Sequence, residues 1–145
     1  MNITISIPTK AQIINGGFKV HAAQAGKSWS KSQFGDYAAK KGVYIHHSNG
    51  AILYIGKTTD GDYGTFGERL RREFQEKASS RSALHQLLVR QSQPIKSYLI
   101  DLDDLEMMID AGAVKLSSEA KALIMEQVLI GIYNPCGNKT RKPSR

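Results

Sequence analysis

The sixteen residues from Gly42 to Lys57, GVYIHHSNGAILYIGK, admit little besides a β-hairpin. Two runs of β-branched, aromatic and aliphatic residues, Val43–His46 and Ile52–Ile55, flank Ser48-Asn49-Gly50, which is how two antiparallel strands and a tight turn are written. The register decides what each face carries. A two-residue Asn49-Gly50 turn sets Val43 against Gly56 and Ile45 against Tyr54, and neither face is then clean. A three-residue loop with Gly50 in the left-handed position sets Val43 against Ile55 and Ile45 against Leu53. Side chains alternate, so this register leaves one face aliphatic and puts Gly42 opposite Gly56 and Tyr44 opposite Tyr54 on the other. The three-residue loop is therefore the expectation. Glycines inside strands often mark close approach to the backbone, and the tyrosines offer hydroxyls to whatever approaches. An aromatic cross-strand pair with glycines admitting a crossing helix satisfies the same pattern.

A chain of 145 residues, 41% hydrophobic, carries one core and suits a single domain. Its net charge of +7 and pI near 9.6 make a surface field suited to a polyanion, nucleic acid first among them. The one cysteine, Cys136, excludes an internal disulfide framework and a cysteine-rich zinc site. The start MNITISIPTK lacks the regions of a signal peptide and no apolar run reaches membrane-spanning length, so the expectation is a soluble, cytoplasmic protein with no membrane partner.

In chain order, Ile3–Pro8 reads as a strand and Ile13–Ala22 as a hairpin turning at Asn15-Gly16-Gly17. Ser30 to Gln33 has the form of a capping box, with Trp29 and Phe34 as a hydrophobic staple, and opens a helix to about Lys40. After the hairpin, a loop from Thr58 to Gly64 leads to a second capping box, Thr65 to Glu68. The helix it opens buries Phe66, Leu70, Phe74 and Ala78. Arg69 lies beside that stripe in the first turn, where unpaired amides and the helix dipole favour anions, and its guanidinium suits phosphate. Pairing with Glu73 four residues on is the plain alternative. Arg71, Arg72, Lys77 and Arg81 serve a solvated face or general attraction to a nucleic-acid backbone. A helix over Ser80–Gln91 buries Leu84, Leu87 and Leu88 with His85 adjoining as a packed or surface residue. Ile95–Asp101 is a third strand, and Asp103 caps a short helix to Asp110.

From Leu123 to Ile132 the segment SSEAKALIMEQVLIGIYNPCGN is apolar nearly all round, the mark of a central buried helix. Glu126 sits in its middle with Ala122, Leu123, Leu129 and Ile130 as helical neighbours, so a buried carboxylate there calls for a metal, an arginine or a pocket open to water. A partly solvated face, marked by Gln127, is the alternative. The tail from Lys139 onward, with Arg141, reads as a basic arm.

Gly42-Val43-Tyr44, Tyr54-Ile55-Gly56-Lys57, Arg69 in the following helix, Glu126 in a late apolar helix and Asn138 after a proline-containing turn together resemble the GIY-YIG nuclease family. The resemblance runs from Gly42 to Asn138. It implies an α+β domain in which a three-stranded antiparallel sheet is flanked by helices, here with an N-terminal β/α extension over residues 1–41 and a tail over 139–145. It implies hydrolysis of DNA phosphodiesters with one divalent ion, Mg2+ or Mn2+ in its place. Residue by residue it assigns Tyr44 and Tyr54 to proton transfer and water positioning, Arg69 to the scissile phosphate, Glu126 to the metal and Asn138 to the far edge of the site. Gly56, Arg71, Arg72, Lys139 and Arg141 fall to contact with DNA. Tyrosine near its usual pKa of about 10 is a poor base, so Lys57, Arg69 and the metal would have to favour a Tyr44 phenolate.

Glu73 stands where many members carry a histidine or tyrosine, so Lys57 or His85 substitutes, or Glu73 orients Arg69. The expected function is a free-standing endonuclease of restriction or phage type acting on double-stranded DNA, with a symmetric dimer suited to a palindromic target. The competing expectations are a catalytically silent DNA-binding module on the same fold and an RNA-directed nuclease toxin.

Overall fold

The computed structural model describes residues 2–20, 31–58, 64–74 and 83–139. The Ser30 cap and Trp29 staple, residues 59–63 of the long loop, Lys77, Ala78, Arg81 and Arg141 lie outside the described residues.

The central hairpin pairs β3 (Gly42–Ser48) with β4 (Ala51–Lys57). Its turn is the two-residue one: Ser48 faces Ala51, and Asn49 and Gly50 have φ of 50° and 80°, the left-handed pair that matches strand twist. The expected three-residue loop is thus replaced. Between His46 and His47 the pairing then shifts by one, leaving Leu53 as the extra residue of a β-bulge. Beyond it Val43 faces Lys57, Tyr44 faces Gly56, Ile45 faces Ile55 and His46 faces Tyr54. Relative to the expected register the pairs beyond the bulge have moved by two residues and His47, on the turn side, by one. A shift of two preserves parity, which is why Val43, Ile45 and Ile55 still share a face while Tyr44 and Tyr54 share the other. Leu53, at the bulge, has crossed to the tyrosine side.

β5 (Ile95–Asp101) lies antiparallel on the other side of β3, as expected, and completes a three-stranded antiparallel core. The N-terminal segment adds β2 (Phe18–Val20) outside β5, giving the order β2-β5-β3-β4. A separate pair joins β1 (Thr4–Ile5) to β6 (Ile109–Asp110). Ile13 is not in a strand. Thr9 accepts from the Gln12 amide at 3.2 Å and the Gln12 side chain answers at 2.8 Å, a capping box that winds Lys10–Ile14 into α1.

The sheet separates two apolar layers. On the aliphatic face Val43, Ile45 and Ile55 meet Ile13 of α1 and the buried stripe Ala122, Met125 and Leu129 of the long helix. On the tyrosine face Tyr44, Tyr54 and Leu53 meet Phe34 from a 3₁₀ segment (Lys31–Ala39), Phe66 and Leu70 from α2 (Phe66–Phe74), and Leu84 and Leu88 from α3 (Ala83–Val89). With about 1.5–3 kcal/mol from each fully buried aliphatic or aromatic side chain, the two layers together dominate the stability of the domain. Residues 1–41 thus supply part of both cores.

Asp101, rather than Asp103, caps the next helix, α4 (Leu102–Met108). Its carboxylate accepts from the Asp104 amide at 2.8 Å, and Ile109–Asp110 leaves the helix to pair as β6. The long helix α5 (Ser118–Tyr133) starts at a Ser117 cap and stops at Asn134, which turns left-handed at φ 45° before Pro135. It is not buried all round. Leu123 and Ile132 are 47% and 53% exposed, because only the stripe facing the sheet is covered. No helix among the described residues is long and apolar enough to cross a membrane.

Candidate functional site

The register builds the site. At the centre of β3, Tyr44 lies between Gly56 of β4 and Leu99 of β5, and His46 between Tyr54 and Ser97. Gly56 leaves room for the Tyr44 ring to lie over β4. A Cβ at Gly56 would fall 2.5 Å from Tyr44 Cζ and 3.0 Å from Cε1, inside any real contact distance. The close approach anticipated at this glycine is therefore made by the protein's own tyrosine. Gly56 is buried beneath it. Gly42 is crowded by the Ile100 carbonyl in the same way.

The Tyr44, His46 and Tyr54 rings cluster, with centroids 5.0, 6.0 and 6.1 Å apart. Above them, α2 supplies a carboxylate. Tyr44 Oη donates to Glu73 Oε2, and His46 Nε2 lies 2.8 Å from Glu73 Oε1. An ionised carboxylate only accepts, so Nε2 carries a proton, and Nδ1 makes a hydrogen bond of 2.8 Å with the Ser97 hydroxyl. Ser97, His46, Glu73 and Tyr44 thus form one chain of hydrogen bonds. His85, from α3, holds its end in place. It is buried, and its Nδ1 donates to the Glu73 carbonyl at 3.0 Å, satisfying one of the carbonyls that a helix end leaves open.

Arg69 completes the cluster. Its Nε lies 3.9 Å from Glu73 Oε2, the i,i+4 pairing open to it from the sequence, while the side chain stays 40% exposed. That Nε is buried and has no hydrogen-bond partner among the described residues. Two amides of the α2 N-terminus are already taken: Phe66 N–H donates to the Lys40 carbonyl at 2.8 Å and Glu68 N–H to Thr65 Oγ1 at 3.3 Å. Anion attraction therefore rests on Arg69 more than on the helix end.

Burial pushes the Tyr44 hydroxyl well above the ordinary tyrosine range, with Glu73 and Tyr54 adding to the effect and Arg69 opposing it. Tyr44 is accordingly held as a donor to Glu73 in this arrangement. Arg69 is held more firmly charged: burial works against it and is outweighed by Tyr44 and Glu73.

Asn138, in the short helix α6 (Cys136–Lys139), clamps the free edge of β4. Its Oδ1 accepts from Ile55 N–H at 2.9 Å and its Nδ2 donates to Ile55 O at 2.8 Å, so one amide satisfies both groups that an edge residue turns outward. Gly137 lets the helix come this close, because a Cβ there would collide with the Leu53 carbonyl.

The other anticipated residues stand apart. Lys57 pairs with Val43 and by alternation belongs to the face of Ile55, opposite Tyr44. Arg71 pairs with Glu68 at 3.0 Å, and Arg72 and Lys139 are exposed. Glu126 is half-buried beside Met125, and its Oε1 accepts from Gln127 Nε2 at 3.2 Å, so it stands on a partly solvated face. Among the described residues no three His, Cys, Asp or Glu side chains converge on a common point that would hold a metal. Magnesium keeps several waters and takes one or two carboxylates, and a single partly exposed Glu126 suits it in that loose manner.

His46 and the central role of Glu73 were missed from the sequence. His46 is two residues from Tyr44 and so on its face by alternation alone, a signal that was present. Compared with known proteins, the chain matches no protein-family model, no curated protein and no solved structure.

Proposed function

We propose that the protein is an endonuclease that hydrolyses phosphodiester bonds in double-stranded DNA with a divalent ion. The observation that carries the reading is the convergence of Tyr44, His46 and Glu73 beside Arg69, whose buried Nε has no hydrogen-bond partner among the described residues. Hydrolysis of a phosphodiester needs neutralisation of the phosphoryl oxygens and a group to take the water's proton. Arg69 supplies the first through a half-exposed guanidinium, and the hydrogen-bonded chain that ends on Glu73 supplies proton-accepting capacity. Net charge of +7 draws a polyanion to the surface. The resemblance gives the divalent ion to Glu126, which would hold it on α5, apart from the Tyr44, His46, Glu73 and Arg69 cluster.

Arg69→Ala and Glu126→Ala are expected to fold and bind DNA while losing cleavage of supercoiled plasmid. Substantial cutting by both variants would remove the proposal. A second reading has its own observation: Glu73 already occupies donors that a phosphate would use, which suits a catalytically silent DNA-binding module. That reading expects a salt-sensitive gel shift with no metal-dependent nicking by the parent or by Glu73→His.

A further inference from the structure

We propose that Glu73 is the general base of this hydrolysis, with Tyr44 and His46 as the residues that position it; the inference rests on the nuclease reading above. Access separates the candidates. Tyr44 and His46 are fully buried, whereas the Glu73 side chain keeps 12% exposure and lies beside the half-exposed Arg69. Of this chain, Glu73 is the member that a water held near the Arg69 guanidinium reaches.

The geometry of the carboxylate fits the task. Among the described residues each oxygen receives one hydrogen bond, Oε2 from Tyr44 and Oε1 from His46, and Arg69 Nε lies 3.9 Å from Oε2. The two donors fix the plane of the group, and Ser97 fixes the orientation of His46 in turn, through a bond between two fully buried side chains. His85 anchors the main chain beneath it. A carboxylate whose only task was to neutralise Arg69 would not need three neighbours to orient it. The tyrosine cannot take the role, since burial and Glu73 together hold its proton in place.

The step balances without further reagents. Water transfers a proton to Glu73 as its oxygen bonds to phosphorus. The bond from phosphorus to the leaving sugar oxygen breaks with its electron pair on that oxygen, which takes a proton from solvent. Glu73 then returns its own proton to water. Losing negative charge at Glu73 while charge builds on the phosphoryl group also relieves their mutual repulsion beside Arg69.

The test is the pH dependence of plasmid nicking in magnesium, for the parent and for Glu73→Gln. The parent rate should rise tenfold per pH unit along an acid limb and then level off. Glu73→Gln should lower the plateau by roughly 10²–10⁴-fold and abolish the acid limb. Tyr44→Phe and His46→Gln should keep the limb but move it to higher pH, because each removes a donor that favours the ionised carboxylate; a merely structural role would not move it. Should Glu73→Gln fail to fold, Glu73→Asp replaces it: a retained limb at lower rate supports the assignment, and a lost limb overturns it. If the parent nicks and Glu73→Gln nicks as fast or faster, Glu73 is not the base and only this inference falls. If the parent does not nick at all, the nuclease reading falls with it.

Discussion

The clamp on β4 yields the sharpest structural prediction. Ile55 is 0% exposed, and its outward N–H and C=O are both taken by the Asn138 amide, at 2.9 and 2.8 Å. Asn138→Ala leaves a buried donor and a buried acceptor with no partner. Each such group costs about 1–3 kcal/mol, and water entering beside the half-buried Asn138 position recovers part of that. A loss of about 2–4 kcal/mol follows, or a drop in melting temperature of roughly 6–14 °C for a domain of this size. Asn138→Asp is the decisive companion. Ionised, it keeps the acceptor for Ile55 N–H but sets a carboxylate oxygen against the Ile55 carbonyl, so at neutral pH it should be no more stable than Asn138→Ala. Protonation restores a donor, so Asn138→Asp should recover relative to Asn138→Ala as pH falls towards 4. Thermal unfolding of the parent and both variants at pH 7 and pH 4.5 measures this. An Asn138→Asp protein as stable as the parent at pH 7 would refute the two-point clamp.

Other outcomes follow from the same contacts. Gly56→Ala sets a methyl against the Tyr44 ring, which is fully buried and cannot yield. It should cost about 1–3 kcal/mol in chemical denaturation and abolish any cleavage, and a neutral effect would contradict the packing of Tyr44 over β4. His47 donates Nε2–H to the Gly16 carbonyl at 2.8 Å, and burial lowers its pKa, with Lys96 and His46 adding and the Gly16 bond opposing. The unfolded chain then binds the proton more readily, so stability is complete above the free-histidine value of about 6.5 and declines as pH falls below it. His47→Gln should flatten the dependence of melting temperature between pH 7.5 and 5.5; an unchanged slope would remove His47 as its source. Difference absorbance on raising pH should show one tyrosine, missing in Tyr44→Phe, that resists ionisation until the fold is lost.

Much of this architecture was legible because its local signals and its packing agree. Ile95–Asp101 reads as a strand and forms β5 beside the hairpin, and the apolar run from Leu123 to Ile132 lies within the long helix. Alternation placed Val43, Ile45 and Ile55 on one hairpin face and Tyr44 and Tyr54 on the other, but not Leu53, which the bulge carries to the tyrosine side. The register was not readable: a tight Asn49-Gly50 turn followed by a bulge at Leu53 changes every pairing, and nothing in the apolar pattern distinguishes the two solutions. The α1 capping box, Thr9 to Gln12, was written in the sequence but lost beside the glycines that follow it. The exposure of Leu123 and Ile132 depends on how much of α5 the sheet can cover, which is a tertiary fact.

The site divides in the same way. Tyr44, Tyr54 and Arg69 come together as anticipated, and Asn138 reaches β4. Glu73 looked like a departure in a position expected to relay protons. In the folded chain it is the hub, because β3 presents Tyr44 and His46 to the same turn of α2. Lys57 falls away for a reason of parity: one residue beyond Gly56, it turns to the opposite face.

The most direct test of the central claim is incubation of supercoiled plasmid with the purified protein in magnesium and in EDTA, with Arg69→Ala as the control for contaminating nuclease. Nicked or linear DNA that requires both the metal and Arg69 is the expected result. Plasmid left intact in magnesium, together with a gel shift that weakens as salt is raised, would contradict it.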